Sequence, residues 1–235
     1  MGGGWWISDI LSNPSINGQV WVVSWAVWVI FSICLHELAH GWVAIKLGDD
    51  TPRLAGHMTW NPLVHMGPYS LLMFVVIGIA WGAMPINPSR LRGKYAEAMV
   101  ALAGPLTNLG LAIIGLTALL LWMPLCEGML IPSVTIGYPL SENLATFFHL
   151  GAMLNIVLML FNLLPVPPLD GGRILMDINP AFRRMMHSEN GRWIALGMFI
   201  IFFIFIGTYM FAVADIVIDS ASSLFWDIFF PGLDA

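Results

Sequence analysis

Hydrophobic residues along the chain are concentrated in four long runs, near residues 20–47, 96–122, 143–164 and 193–218. Each run supplies the roughly 20 apolar residues that an α-helix needs to cross about 30 Å of hydrocarbon. A fifth run, 69–86, is shorter and either crosses the membrane or enters it and returns to the same side. The pattern therefore predicts an all-α polytopic membrane protein with four long transmembrane helices and one short or re-entrant segment.

Connections rich in polar residues, Gly and Pro separate these runs. They lie at residues 48–68, 87–95, 123–142 and 165–192. Residues 1–19 contain Trp5 and Trp6 and are predicted to form an interfacial lead-in, because tryptophan favours the headgroup level. No connection is polar enough for a separate soluble domain, so we expect one integral-membrane domain over residues 1–235.

Composition supports the membrane class and limits the partners. The chain is 58% hydrophobic and only 10% charged, whereas soluble domains are about 25% charged. A net charge of -5 with nine basic residues argues against nucleic acid as a partner, since phosphate binding requires a concentrated basic surface. We expect a lipid bilayer around the chain, and the sequence leaves the oligomeric state open.

The first long run contains an H-E-x-x-H pattern at residues 36–40. On a helix, His36 and His40 are separated by about 40° around the axis and about 6 Å along it, so both imidazoles can reach one zinc ion. Glu37 is then the predicted general base, which takes a proton from the zinc-bound water. The alternative is a pair of packed core histidines. It is disfavoured because an ionised Glu inside a membrane costs roughly 2.5–3.5 kcal/mol and is functional by default.

A catalytic zinc ion needs a third protein ligand, and Asp170 is the best candidate. It follows the run Asn162–Leu169, whose prolines, together with Gly171 and Gly172, break the helix within the range 143–172. A broken helix end can direct a carboxylate back toward the bundle. The alternative is a surface turn in which Asp170 only caps a helix beginning near Arg173.

The ligand set also predicts the topology. His36 and His40 lie toward the end of the first long run, and Asp170 lies just beyond the fourth. These runs must therefore point in the same direction, which requires 69–86 to be re-entrant. With an external N-terminus, all nine Lys and Arg residues then lie on the cytosolic side, as the positive-inside rule favours. We expect a multi-pass protein whose active site faces the cytosol.

Three separated motifs resemble those of the site-2 protease family of intramembrane zinc metalloproteases, in its compact branch without PDZ or CBS domains. The first is the H-E-x-x-H pattern, the second is G-P-x-x-N at residues 104–108, and the third is Asn162-x-x-Pro165 followed by Leu-Asp-Gly at 169–171. The resemblance implies one Zn²⁺ per chain, Glu37 as the catalytic acid/base, and three metal ligands: His36, His40 and Asp170. It also implies transmembrane protein substrates. We expect the protein to lie in the plasma membrane of a prokaryote.

Other polar residues are candidates for substrate binding. In the polar connection 48–68, an extended Met58–Trp60 segment could pair with an unwound substrate by strand addition. Four side chains of the same loop could line a wet cavity: His57, Thr59, Asn61 and His65. The alternative is a solvated cytosolic turn with an Asn-Pro bend, which is equally compatible with the sequence.

The sequence also leaves two roles open for Asn108. An amide on an apolar helix either bonds to a neighbouring helix or points at the reacting carbonyl, where it would stabilise the oxyanion. The resemblance favours the site, so we predict Asn108 as a catalytic residue. Asn162 is predicted to support Asp170, and Asn155 to pack between helices.

The sequence thus predicts a zinc endopeptidase that cuts transmembrane segments of other proteins. Two alternatives belong to other classes. A metal transporter would place ligands at successive depths. A non-catalytic, zinc-stabilised scaffold would not need Glu37.

Overall fold

The computed structural model describes residues 5–131, 135–188 and 190–232. The described residues are predominantly helical and contain no strand. The helices are α1 Trp6–Leu11, α2 Gly18–Lys46, α3 Thr51–Leu54, α4 Pro62–His65, α5 Gly67–Ile77, α6 Ala96–Cys126, α7 Leu140–Asn162, α8 Asp170–Ile178, α9 Pro180–Met186 and α10 Gly191–Phe229. A 3₁₀ turn covers Pro88–Arg90.

Four segments are long and apolar enough to cross a membrane, which confirms the predicted fold class. They are α2, α6, α7 and the part of α10 from Phe205 to Phe229. The last predicted run ended at residue 218, whereas α10 continues to Phe229. Asp215 and Asp219 are both exposed on the helix surface and do not interrupt its backbone hydrogen bonding.

The fifth hydrophobic run forms a hairpin with one helical arm and one extended arm. Helix α5 ends at Gly78, which adopts a left-handed conformation (φ 77°) that glycine tolerates without strain. The chain then returns beside α5. Ser70 Oγ accepts the N–H of Trp81 at 2.8 Å and donates to the Trp81 carbonyl at 2.7 Å. The N–H of Ala83 donates to the His65 carbonyl at 2.9 Å, so the hairpin returns to the end where it began.

The base of the hairpin is attached to the C-terminal end of α2. The Asn87 N–H donates to the buried Asp49 carboxylate at 2.7 Å, and the Arg92 N–H donates to the Leu47 carbonyl at 2.8 Å. Burial alone would raise the pKa of Asp49, but hydrogen bonds from Thr51 and Asn87 hold that pKa below its usual range. The carboxylate therefore stays ionised at neutral pH and keeps these bonds.

Small residues allow the central helices to approach closely. A Cβ added to Gly115 on α6 would lie 2.9 Å from the Ala152 nitrogen on α7. A Cβ on Gly151 would lie 2.2 Å from the Trp28 ring of α2. Such close packing is how helices associate where lipid gives no hydrophobic driving force. Helices α2, α6 and α7 therefore form the rigid centre of the bundle.

Helix α8 is attached to the start of α6 by one carboxylate. Asp177 accepts the Ala98 N–H at 2.9 Å, which satisfies a free donor in the first turn of α6. Its other oxygen accepts from Arg183 at 2.9 Å, and Arg183 also lies 3.4 Å from Glu97. These contacts set the position of α8 relative to α6.

The hairpin predicts which loops share a side of the membrane. We expect single cysteines introduced as Asp50→Cys and Ser89→Cys to react with an impermeant thiol reagent from one side, and Ser15→Cys to react from the other. The measurement uses sealed vesicles of both orientations, in a background where Cys34 and Cys126 are replaced by Ala. Labelling of positions 50 and 89 from opposite sides would mean that 69–86 crosses the membrane.

Candidate active site

Three side chains from two separate parts of the chain converge inside the bundle. His36 Nε2 lies 3.0 Å from His40 Nε2 and 3.1 Å from Asp170 Oδ2, and His40 Nε2 lies 3.3 Å from the same oxygen. All three residues are buried. Two imidazoles and one carboxylate form a donor set that zinc accepts, and the cavity beside them leaves a side open for water. The residues therefore fit a zinc ion.

Hydrogen bonds on the far side of each imidazole fix its tautomer. His36 Nδ1 donates to Asn108 Oδ1 at 2.6 Å, and His40 Nδ1 donates to the Val100 carbonyl at 2.7 Å. The Asn108 amide is oriented in turn, because its Nδ2 donates to Asn155 Oδ1 at 2.9 Å. In the neutral form of each imidazole, Nε2 is then the unprotonated nitrogen that can bind metal.

Asn108 does not have the placement expected of a residue that contacts substrate. It is fully buried behind His36, both halves of its amide are engaged, and it is not among the residues lining the cavity. Asn108 lies where it can orient a ligand, and its predicted oxyanion role stays a prediction that this placement does not favour. Asn155, predicted only to pack between helices, is the next group in the same chain of hydrogen bonds. The sequence located both amides but not the side of the imidazole on which they lie.

The turn between α7 and α8 brings Asp170 to the histidines. Asp170 is the first residue of α8, and its carboxylate does not cap that helix. A Cβ on Gly171 would lie 2.2 Å from the Leu163 carbonyl oxygen, and one on Gly172 would lie 2.3 Å from the Pro167 nitrogen. Only glycines allow the turn to fold this tightly under α8.

A cavity of about 510 Å³ opens beside the three ligands. Its walls are formed by α2 around the two histidines, the return arm of the hairpin, the C-terminal end of α7 and the N-terminal end of α8. Phe199 and Phe203 of α10 complete the lining. Glu37 lines this cavity next to the ligands. A Cβ on Gly82 would lie 2.5 Å from Glu37 Oε1, so the return arm lies directly against the carboxylate.

The return arm has one edge facing its own hairpin and one edge open. Trp81 and Ala83 bond to the hairpin through their N–H groups. Ala80 and Gly82 alternate with them and make no backbone hydrogen bond to any described residue. This alternation is typical of an edge strand. The sequence analysis did not predict that residues 79–84 form a wall of the cavity. The sequence offers little to indicate it, because this stretch is short and free of charges and is marked by Gly82 and Pro85.

The four candidate residues of the 48–68 loop are not among those lining the cavity. Asn61 caps α4 by accepting the Leu63 N–H at 3.0 Å, and its own N–H lies 3.3 Å from Thr59 Oγ1. His65 Nε2 donates to the Thr59 carbonyl at 2.6 Å, and the His57 ring packs edge-on against His65 with centroids 6.1 Å apart. These residues support the base of the hairpin.

The structure places Met58–Trp60 and Asn162 differently from the sequence predictions. The extended Met58–Trp60 segment is a bend between α3 and α4, and the extended wall of the cavity is residues 79–84. Asn162 does line the cavity, but its amide donates to the Leu158 carbonyl at 3.0 Å and makes no hydrogen bond to Asp170 within the described residues.

Comparison with known proteins agrees with this geometry. The model of peptidase family M50 matches residues 24–206, a range that includes Glu37 and all three ligands. The chain belongs to peptidase family M50. This M50 protein is 37% identical over 207 residues to YwhC of Bacillus subtilis, covering 86% of the chain and 91% of YwhC.

Two further relatives extend the comparison to other prokaryotes. Rip2 of Mycolicibacterium smegmatis is 30% identical, covering 77% of this M50 chain and 67% of Rip2. MJ0611 of Methanocaldococcus jannaschii is 31% identical, covering 72% and 77% of the two chains. All three relatives are named zinc metalloproteases. No solved structure matches the chain at a significant level. The protein is therefore a zinc metalloprotease of the site-2 protease type.

The site predicts that Gly104 of this M50 protein is needed for zinc binding. A Cβ there would lie 2.4 Å from the His36 ring and 2.5 Å from His40 Nε2, so Gly104→Ala must displace both imidazoles. We expect zinc affinity to fall by about 10–100-fold, as when a ligand loses its orienting contacts. Competition with a chelator measures this affinity.

Gly110→Ala is the matched control, because it lies on the same helix and its Cβ would have no neighbour within 4 Å. Alanine is the better helix former by about 1 kcal/mol, so this variant should keep zinc and its thermal stability. Equal zinc affinity in the two variants would contradict the assigned role of Gly104.

Proposed function

We propose that this protein is an intramembrane zinc endopeptidase that hydrolyses peptide bonds in or near transmembrane segments of other proteins. The observation that carries the proposal is the burial of His36, His40 and Asp170 among helices long enough to cross a membrane, next to a cavity bounded by those helices. A substrate reaching this cavity must enter from within the bilayer or from its edge. The family assignment supports the reaction class.

The proposed chemistry uses Glu37 as the proton carrier. When bound, zinc lowers the pKa of its water to about 7 and polarises the carbonyl to be attacked. Glu37 lies on the same helix as the two histidines and its carboxylate is exposed to the cavity. It accepts the proton of the attacking water and delivers it to the nitrogen of the leaving amine. A Cβ at Gly82 would clash with Glu37 Oε1, so the Gly82 backbone borders the carboxylate.

Asn108 is proposed to act as a positioning residue. Its Oδ1 accepts a hydrogen bond from His36 Nδ1–H and so leaves Nε2 available, while the Val100 carbonyl does the same for His40. Such bonds typically strengthen the ligand and fix its ring.

The return arm of the hairpin is the proposed substrate-binding strand. A peptide bond in a transmembrane helix is held in internal hydrogen bonds, so the substrate must unwind before it can be cut. An unwound segment needs new backbone partners, and the open edge at Ala80 and Gly82 offers them by strand addition. Gly82 also contacts Glu37, so pairing there would place the scissile bond beside the base.

The active site is proposed to face the cytosol of a prokaryotic plasma membrane. The basic residues lie at the C-terminal end of α2, in α3, in the connection that precedes α6, and in the segment from α8 to the start of α10. The positive-inside rule assigns that side to the cytosol. Cleavage there would release a cytosolic fragment of a transmembrane substrate.

Glu37→Gln tests the reaction. The amide keeps the size of the side chain but cannot accept the proton, so we expect zinc content to be unchanged and cleavage of a model transmembrane substrate to be abolished. Metal analysis and cleavage by purified protein in detergent or liposomes are the measurements. Glu127→Gln is the control and should cleave normally, because Glu127 follows the C-terminal end of α6 and does not line the cavity. Full activity of Glu37→Gln would refute the proposed protease mechanism.

Strand addition predicts a periodic response to changes in the substrate backbone. N-methylation removes one N–H at a time, and only alternate residues of a paired strand use that group toward a given neighbour. We therefore expect KM to rise at every second position around the cut site and to change little between them. A uniform response, or none, would remove strand pairing from the account.

A further inference from the structure

Hydrolysis of a peptide bond places negative charge on the carbonyl oxygen, and a donor aimed at that charge is worth about 10²–10³ in kcat. Asn108 cannot supply it, because its amide is fully buried and engaged with His36 and Asn155. A protein donor, in addition to the polarisation that a bound zinc would supply, must therefore come from the cavity wall. This reasoning rests on the proposed peptidase function.

Arg173 is the cation among the described residues that line the cavity. It lies one turn after Asp170 on α8, so both side chains share a face of that helix. Arg173 Nη1 is 3.9 Å from Asp170 Oδ1, while Asp170 Oδ2 is the atom that faces the imidazoles. The Asp170 carboxylate thus lies between the guanidinium and the metal site.

The N–H donors of the Arg173 guanidinium are not engaged by the described residues. A separation of 3.9 Å is too long for a hydrogen bond, and Arg173 makes no other side-chain hydrogen bond to the described residues. Arg183 on the neighbouring helix α9 is different. It donates to Asp177 at 2.9 Å and to the Met176 carbonyl at 3.0 Å, which is typical of a structural arginine.

Among the other polar side chains of the cavity, Glu37 is the proposed base. Asn162 donates its amide to the Leu158 carbonyl, and the two histidines direct Nε2 at the metal position. The Arg173 side chain is 31% exposed, as expected of a group that borders a water-containing space. An arginine remains charged at every relevant pH and presents up to five N–H donors.

We propose that Arg173 is a catalytic residue whose guanidinium donates to the scissile carbonyl oxygen as negative charge develops there. No proton leaves the arginine and no bond to it forms. The guanidinium stabilises the negative charge on the oxygen; the oxygen's electron pair then re-forms the C=O double bond as the C–N bond breaks, and the amine leaves with the proton that Glu37 delivers. Because this contact strengthens only as the carbonyl becomes an oxyanion, it raises kcat more than it lowers KM.

Kinetics of Arg173→Gln and Arg173→Lys, with zinc saturating, test the proposal. We expect kcat to fall about 10²-fold or more in the Gln variant with KM nearly unchanged, and Lys to restore part of the loss. Arg184→Gln, an exposed arginine of α9, is the matched control and should keep normal kinetics. If kcat is normal and only zinc affinity falls, Arg173 merely supports Asp170 and the proposal is wrong.

Binding to an inactive analogue gives a second measurement that does not use turnover. A phosphinic peptide carries a tetrahedral anion, whereas an uncleavable peptide of the same sequence in the Glu37→Gln background carries a neutral carbonyl. Arg173→Gln should weaken binding of the first by the factor lost in kcat and leave the second unchanged. Equal weakening of both would mean ground-state binding and overturn the oxyanion role. If Arg173→Gln cleaves normally while Glu37→Gln does not, only this inference fails and the protease function stands.

Discussion

Two imidazoles and a carboxylate must be held together inside a helical bundle whose surroundings cannot solvate them. Burying these polar groups costs free energy, and the site depends on the hydrogen bonds that offset this cost. The outer nitrogen of each imidazole has a partner within the protein. His36 bonds to Asn108, which bonds to Asn155, and His40 bonds to the backbone of Val100. A buried polar group without such a partner would cost several kcal/mol. Because the outer atoms are occupied, the inner ones are left for the metal.

The same constraint explains where the small residues lie. Donors on separate helices converge only if the backbones around them come close, and each close approach in the site occurs at a glycine. Gly104 leaves room beside the imidazoles, Gly82 lets the hairpin contact Glu37, and Gly171 lets the turn fold under α8. In these positions a methyl group would collide with a ligand, the base or the backbone. Packing and chemistry are therefore determined by the same residues.

Features set by local periodicity could be predicted from the sequence, and features set by tertiary contacts could not. The long spans and the i, i+4 histidines follow from hydrophobic run length and helical geometry. The 69–86 run gave no sign of its break at Gly78, because both arms are apolar and hydrophobicity does not separate helix from extended chain in lipid. The reversal depends on bonds from Ser70 to Trp81. The direction of Asn108 likewise depends on a neighbouring helix.

The first turns of α6 connect the two parts of the ligand set. The Val100 carbonyl orients His40, and the N–H of Ala98, two residues earlier, is held by Asp177 at the far end of the helix that begins with Asp170. Helix α8 has nine residues and spans only about 13 Å, so fixing one end restricts the other. A shift at the start of α6 would therefore move the histidine side and the carboxylate side together. The ligand geometry is preorganised by the protein, and the metal needs to supply little of the energy that assembles it.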